Sequence, residues 1–128
     1  MLDHVGFVVS DYGRSVAFYK KALEPLGFGL GVELTPEMTG GEAHAGFGRD
    51  GRLQFWIGTG KVPLSGRLHV AFEAGSRAAV DAFHAAAIAA GATDNGKPGL
   101  RPIYHPNYYG AFVLDPDGHN VEAVCHKP

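Results

Sequence analysis

A four-residue motif occurs twice in this chain, as His4-Val5-Gly6-Phe7 and as His69-Val70-Ala71-Phe72, and it restricts the fold more than any other feature. Each copy opens the same order of patterns. In the first, residues 3–10 alternate, with Val5, Phe7 and Val9 on one face and His4, Gly6 and Val8 on the other. Ser10 and Asp11 offer N-caps for a helix running to Leu26, where Gly27 stops it. Val16, Tyr19, Leu23 and Leu26 recur along it at helical spacing. Strand-like runs follow at 28–34, 43–48 and 52–57, with a loop at 35–42. In the second copy, residues 67–73 restart the alternation and Ser76 caps an alanine-rich helix ending at Gly91. The glycine- and proline-rich stretch 93–107 holds at most one short strand. Two apolar runs then flank Asp115-Pro116-Asp117-Gly118, where proline presets the first turn position and glycine relieves the left-handed one, so a β-hairpin is expected.

The order is β-α-β-β-β, twice, which predicts an α+β fold. Each copy is too short to bury its own sheet, so the modules (1–60 and 66–127) are expected to join as halves of one domain spanning residues 1–128. A second match, Leu53-Gln54-Phe55-Trp56 with Val121-Glu122-Ala123-Val124, sets the expected faces of the closing strands. Leu53, Phe55, Val121, Ala123 and Cys125 should face the helices. Gln54, Trp56, Asn120, Glu122 and Val124 should share the opposite face with His4, Gly6, His69 and Ala71. That second face is half polar and half small, as the lining of a cleft would be.

Composition narrows the partners. A formal net charge of −2 gives no reason to expect nucleic acid or an anionic membrane. The single cysteine, Cys125, allows no internal disulfide framework and fits a reducing compartment, and no stretch has the length of a membrane span. A cytoplasmic protein is expected.

Glu122 lies in the middle of an apolar strand, where a bare carboxylate would cost several kcal/mol in desolvation without a positive partner. His4 and His69, at equivalent places in the repeat, share its expected face. Two imidazoles and a carboxylate suit Fe(II), Mn, Ni or Zn, with positions left open for water or substrate. Singly, each histidine reads better as a half-buried strand residue hydrogen-bonded to its neighbours, and Glu122 as paired with a loop arginine. Together, on one face, they favour the metal.

The paired β-α-β-β-β units, the Asp3-His4-Val5-Gly6-Phe7 opening, Leu68-His69-Val70-Ala71-Phe72 and Asp115-Pro116-Asp117-Gly118 followed by Glu122 resemble the vicinal oxygen chelate superfamily. This is the group of glyoxalase I, the bleomycin-resistance proteins and the extradiol dioxygenases. The resemblance covers essentially the whole chain. It implies two βαβββ modules forming a cup-shaped half-barrel, often completed by a homodimer. It also implies a divalent metal held by His4, His69 and Glu122, and a small substrate chelated through adjacent oxygens.

Among members, the resemblance to bacterial glyoxalases places Gln54 where a second acidic residue stands, equivalent to Glu122. An amide oxygen can ligate, so Gln54 joins the candidate metal ligands, but it cannot act as a second acid/base carboxylate. The segment from His105 to Glu122 partly reproduces an extradiol-dioxygenase signature, with Phe112 where a tyrosine is expected. Glyoxalase-like lyase or isomerase chemistry is the leading expectation. An extradiol-type dioxygenase and a non-catalytic binding protein of the bleomycin-resistance kind are the alternatives.

Catalytic candidates are Glu122, His105, whose ordinary pKa suits proton transfer near neutrality, and Tyr109. Tyr108 and Tyr109 alternate, so one should point into the cup and the other toward the helices. Trp56 is expected to wall the cup, and Arg14 and Arg101 are weaker candidates for holding a carboxylate. His44, His84, His119 and His126 look incidental, and Cys125 reads as a small buried hydrophobe.

Overall fold

The computed structural model of the chain describes residues 1–61 and 68–128. The first module runs β1 (Val5–Val8), α1 (Tyr12–Ala22), β2 (Gly29–Leu34), α2 (Pro36–Thr39), β3 (His44–Arg49) and β4 (Arg52–Gly58). The second runs β5 (His69–Glu73), α3 (Arg77–Ala89), β6 (Thr93–Leu100), β7 (Tyr109–Leu114) and β8 (Asn120–Cys125). Each module forms one four-stranded sheet, ordered β1-β4-β3-β2 and β5-β8-β7-β6. In both, the first strand pairs parallel with the last and the remaining pairs are antiparallel. The expected α+β fold of two βαβββ modules is therefore the observed one. The expected start of the second module at residue 66, with Arg67 opening its strand, lies outside the described residues.

Local chemistry explains the boundaries. Asp11 caps α1 by accepting from the Arg14 N–H, and Ser76 caps α3 by accepting from Ala79. The first helix ends at Ala22 and not at Leu26, because Pro25 cannot continue the α-helical ladder; residues Glu24–Leu26 tighten into a 3-10 turn, and Gly27 leaves it with φ 77°. The stretch expected as loop contains α2, a single turn with Thr35 as cap and Pro36 at its first position. Asp50 and Gly51, with φ 53° and 75°, form the two-residue β3–β4 hairpin that an Asp-Gly pair favours. The segment expected to hold at most a short strand carries the eight-residue β6, which is an edge strand broken by two register shifts and so tolerates Pro98.

The helix-facing sides of both sheets share one core. Phe47, Phe55, Ile57, Val121, Ala123 and Cys125 are essentially inaccessible and pack with Tyr19, Leu23, Val80 and Phe83 of the helices and their margins. Phe72 of β5 joins the modules by edge-to-face contact with Phe28 at 5.5 Å and Phe55 at 5.2 Å. Burying a phenylalanine of this kind contributes about 1.5–3 kcal/mol. Cys125 behaves as the expected buried hydrophobe.

The hairpin turn of the second module is clasped to the first helix. Asp115 accepts the N–H groups of Asp117 and His119 through one carboxylate oxygen and the Tyr19 hydroxyl through the other. Asp117 accepts from the backbone and side chain of Ser10, and Arg14 donates to the Pro116 carbonyl at 3.3 Å. Arg14 therefore fastens the turn.

Candidate metal centre

Glu122 is 1% exposed, the most deeply buried charged side chain among the described residues. The sheet register builds its surroundings. On one side β5 places Ala71 opposite it, two register pairs beyond His69 and Asn120. On the other, β7 places Phe112 directly across. Gly110, one pair along the same face, leaves room for the carboxylate; a Cβ there would meet Glu122 Oε2 at 3.1 Å.

Every atom of this pair has a defined partner. Glu122 Oε2 accepts from the Tyr108 hydroxyl, and Oε1 lies 3.2 Å from His69 Nε2. His69 Nδ1 lies 3.0 Å from the Asn120 carbonyl oxygen, which can only accept, so Nδ1 carries the proton. In neutral imidazole the Nε2 lone pair then points at a carboxylate oxygen. Two acceptors so close need either a proton shared between them or a metal ion. Phe112 steadies the imidazole by stacking at 6.2 Å, and the Arg101 guanidinium covers the outer side of Phe112 at 5.6 Å. Burial, and after it the bond to Glu122, push the Tyr108 phenol far above its ordinary value, so it stays a donor to the carboxylate.

His4 is elsewhere. Its side chain is 59% exposed and its Nδ1 lies 2.7 Å from Asp3. It lines a cavity of about 400 Å³ on the open face of the first sheet, together with Gly6, His44, Trp56 and Thr59. Among the described residues no three His, Cys, Asp or Glu side chains converge as a metal site within one chain. The structure thus brings His69 and Glu122 together and leaves His4 apart from them.

The register corrects the place given to Gln54. Val5 pairs with Phe55 and Gly6 with Trp56, while Val70 pairs with Val121 and Ala71 with Glu122. With His4-Val5-Gly6 matching His69-Val70-Ala71, the residue equivalent to Glu122 is Trp56. Gln54 lies where the β3–β4 ladder slips, between the pairs Phe47–Phe55 and Gly48–Leu53. This bulge reverses the alternation below it. Leu53, expected against the helices, is absent from the shared core and lies over Gly31, where a Cβ would come within 2.4 Å of its Cδ2. Gln54 instead borders a cleft with Val5, Arg49 and Val70.

The tyrosines alternate as expected, but Tyr108 is the one at Glu122. Tyr109 points to the helices, donates to Asp81 at 2.7 Å and lies under the Arg77 guanidinium at 5.3 Å. The apolar set Ala111 and Val113, which shares Tyr109's parity, held that answer in the sequence. His105 does not touch Glu122. Its ring meets His126 at 5.7 Å, and His126 meets Tyr108 at 5.2 Å, so two rings separate it from the carboxylate. His126, passed over as incidental, is therefore beside the candidate site, and His44, passed over likewise, lines the cavity at His4. His119 is buried against Phe7 at 4.9 Å, and His84 pairs with Asp94 at 2.9 Å.

Residues 1–123 match the family model of the Glyoxalase/Bleomycin resistance protein/Dioxygenase superfamily. The chain belongs to that superfamily. It is 32% identical to a glyoxalase/bleomycin resistance protein from Albidiferax ferrireducens, with a TM-score of 0.76 over 100% of this chain and 99% of that one. It is 25% identical to an E144Q mutant of glyoxalase I from Zea mays, with a TM-score of 0.71, covering 96% of this chain but 46% of the maize chain. A family enzyme from Burkholderia phytofirmans, 20% identical over 98% of both chains with a TM-score of 0.66, shares the fold. No protein of curated function matches the sequence. Members of the superfamily usually bind a divalent metal. The His69–Glu122 pair fits such an ion in donor chemistry, because one imidazole lone pair and one carboxylate oxygen converge while their other polar atoms are held by Asn120 and Tyr108.

Proposed function

We propose that the chain is a metal-dependent enzyme of glyoxalase-like lyase or isomerase type, acting on a small oxygen-chelating substrate. The observation that carries this reading is the facing of His69 Nε2 and Glu122 Oε1 at 3.2 Å, with their remaining polar atoms already satisfied. His69 and Glu122 hold the ion, and His4 from a second copy of the chain completes the set. Two features support a homodimeric site: His4 is exposed, and β1 and β5 are each paired on one side only. The bound ion supplies Lewis acidity, polarising a carbonyl or enediolate oxygen of the substrate.

The chain's own residues do the rest. Tyr108 keeps a proton on its oxygen and holds Glu122 Oε2, fixing the carboxylate's rotamer. Asn120 fixes the His69 tautomer through its backbone. Phe112 stacks on one face of the imidazole, and the Arg101 guanidinium lies over Phe112. Because Trp56 stands at the second carboxylate position, Glu122 is the single acidic residue of the repeat-equivalent pair. Proton transfer between two opposed carboxylates is therefore not the chemistry of this site.

The test is elemental analysis of purified protein, followed by reconstitution with Ni, Mn, Fe(II) or Zn and a screen of small α-oxygenated carbonyl compounds for consumption. About one divalent ion per chain is expected, lost in His69→Ala and Glu122→Gln. No metal at any stage, with no rescue by added ions, overturns the metal reading. Metal-independent binding without turnover establishes the binding protein instead.

A further inference from the structure

We propose that Trp56 is a stacking platform that selects ligands with a planar, conjugated group, a reading that rests on the small-molecule site proposed above. Trp56 occupies the register position that holds Glu122 in the other module. It is partly exposed and absent from the shared core, so its large apolar surface is not spent on holding the modules together.

The indole is fixed before any ligand arrives. Its Nε1–H donates to the Leu53 carbonyl at 3.2 Å, next to the bulge at Gln54. Its six-membered ring lies over Gly46 on the neighbouring strand, where a Cβ would come within 2.9 to 3.0 Å of Cη2, Cζ3 and Cζ2. Gly6, on the strand at its other side, would bring a Cβ to 3.2 Å from Trp56 Cβ. Glycines on both flanks let the ring lie against the sheet, with the cavity of about 400 Å³ beside it, a size suited to a one-ring ligand. A rigid aromatic surface loses little conformational freedom on binding, and it favours flat π-systems over puckered ones of equal size.

The rest of the lining narrows the class. His4, His44 and Thr59 are its polar side chains among the described residues, with Asp3 against His4 at 2.7 Å and Glu42 accepting from the Thr59 hydroxyl at 2.6 Å. The two imidazoles suit the oxygens of a ligand, the Thr59 hydroxyl being already engaged by Glu42 and the Ala43 N–H. His4 is also the residue assigned above to complete the ion's ligand set, so a group stacked on Trp56 lies beside the ion. The chemical class is a small planar, conjugated molecule carrying adjacent oxygens.

Trp56 is the only tryptophan, so its fluorescence reports on this cavity alone. The experiment compares 1,2-dihydroxybenzene with cyclohexane-1,2-diol, which carry the same pair of oxygens on a flat and a puckered ring. Affinities are measured by calorimetry, and by quenching where Trp56 is present, in metal-loaded and EDTA-treated protein. In EDTA-treated protein, where the more acidic phenols gain nothing by chelation, the flat ring is expected to bind roughly three- to tenfold tighter and to quench saturably, the preference vanishing in Trp56→Leu and surviving in part in Trp56→Phe. Equal affinity for the two rings in the EDTA-treated wild-type protein overturns the proposal, as does an unchanged preference in folded Trp56→Leu. Should Trp56→Leu fail to fold, Gly46→Ala displaces the indole, and an unchanged preference there overturns it equally. A flat-ring preference that persists in protein shown to take up no metal leaves the platform standing and removes only the metal reading.

Discussion

The Tyr19 hydroxyl, carried on the helix of the first module, donates to Asp115 at the hairpin turn of the second at 2.5 Å. Both side chains are buried, at 0% and 5% exposure. Burial, and then the Asp115 charge, push the phenol well above its ordinary value, so the hydroxyl is a donor at neutral pH. Removing it leaves a buried carboxylate oxygen without a partner. Tyr19→Phe should cost about 1–3 kcal/mol, read from the urea midpoint at unchanged slope. A loss of only a few tenths would show that the clasp contributes nothing to holding the modules together.

Tyr108 is the conservative handle on the metal pair. Tyr108→Phe keeps the ring that packs on His126 and Tyr104 but removes the donor to Glu122. Metal affinity should fall about 10- to 100-fold, with circular dichroism unchanged. Affinity equal to wild type would mean the hydroxyl does not orient the carboxylate.

Gln54 makes the opposite prediction. Being the bulged residue and not the counterpart of Glu122, it should be dispensable for the ion. Gln54→Ala should retain the wild-type metal content by elemental analysis, while Glu122→Gln in the same assay should lose it. A parallel loss in both variants would restore Gln54 to the ligand set.

The His84–Asp94 pair supplies a pH signature remote from the site. The hydrogen bond from His84, then that from the Gly96 N–H, lower Asp94 from 3.8 to about 2. A carboxyl depressed in the folded state stabilises fully above its unfolded pKa, and that stability is lost as pH falls through the folded value. The melting-temperature difference between wild type and Asp94→Asn should therefore be constant above pH 5 and shrink between about pH 4 and pH 2. A difference that stays flat across that window would show that the pair does not perturb Asp94.

The repeat made the architecture legible, because a strand–helix–three-strand order with matching openings leaves few ways to bury two short sheets. Glu122 and His69 were legible for a related reason: parity places both on one face, and a buried carboxylate must find a partner. Three things were not. The matched tetrapeptides aligned Gln54 with Glu122 where hydrogen-bond register aligns Trp56, two residues on, and a shift of two keeps parity and so leaves no trace in the alternation. Pro25 did mark the true end of α1, but the apolar spacing through Leu26 masked it. The ring contacts that bring His126 to Tyr108 depend on where the chain end lies in space, which no local pattern encodes.

The exchange of Glu122 for Trp56 at equivalent register positions also gives the molecule a direction. Two identical halves would present a ligand with a symmetric lining, and either end of the ligand would meet the same groups. Here one half offers a carboxylate and the other a flat hydrocarbon surface. In the site proposed above, a ligand spanning both has a head and a tail, and it is held one way round.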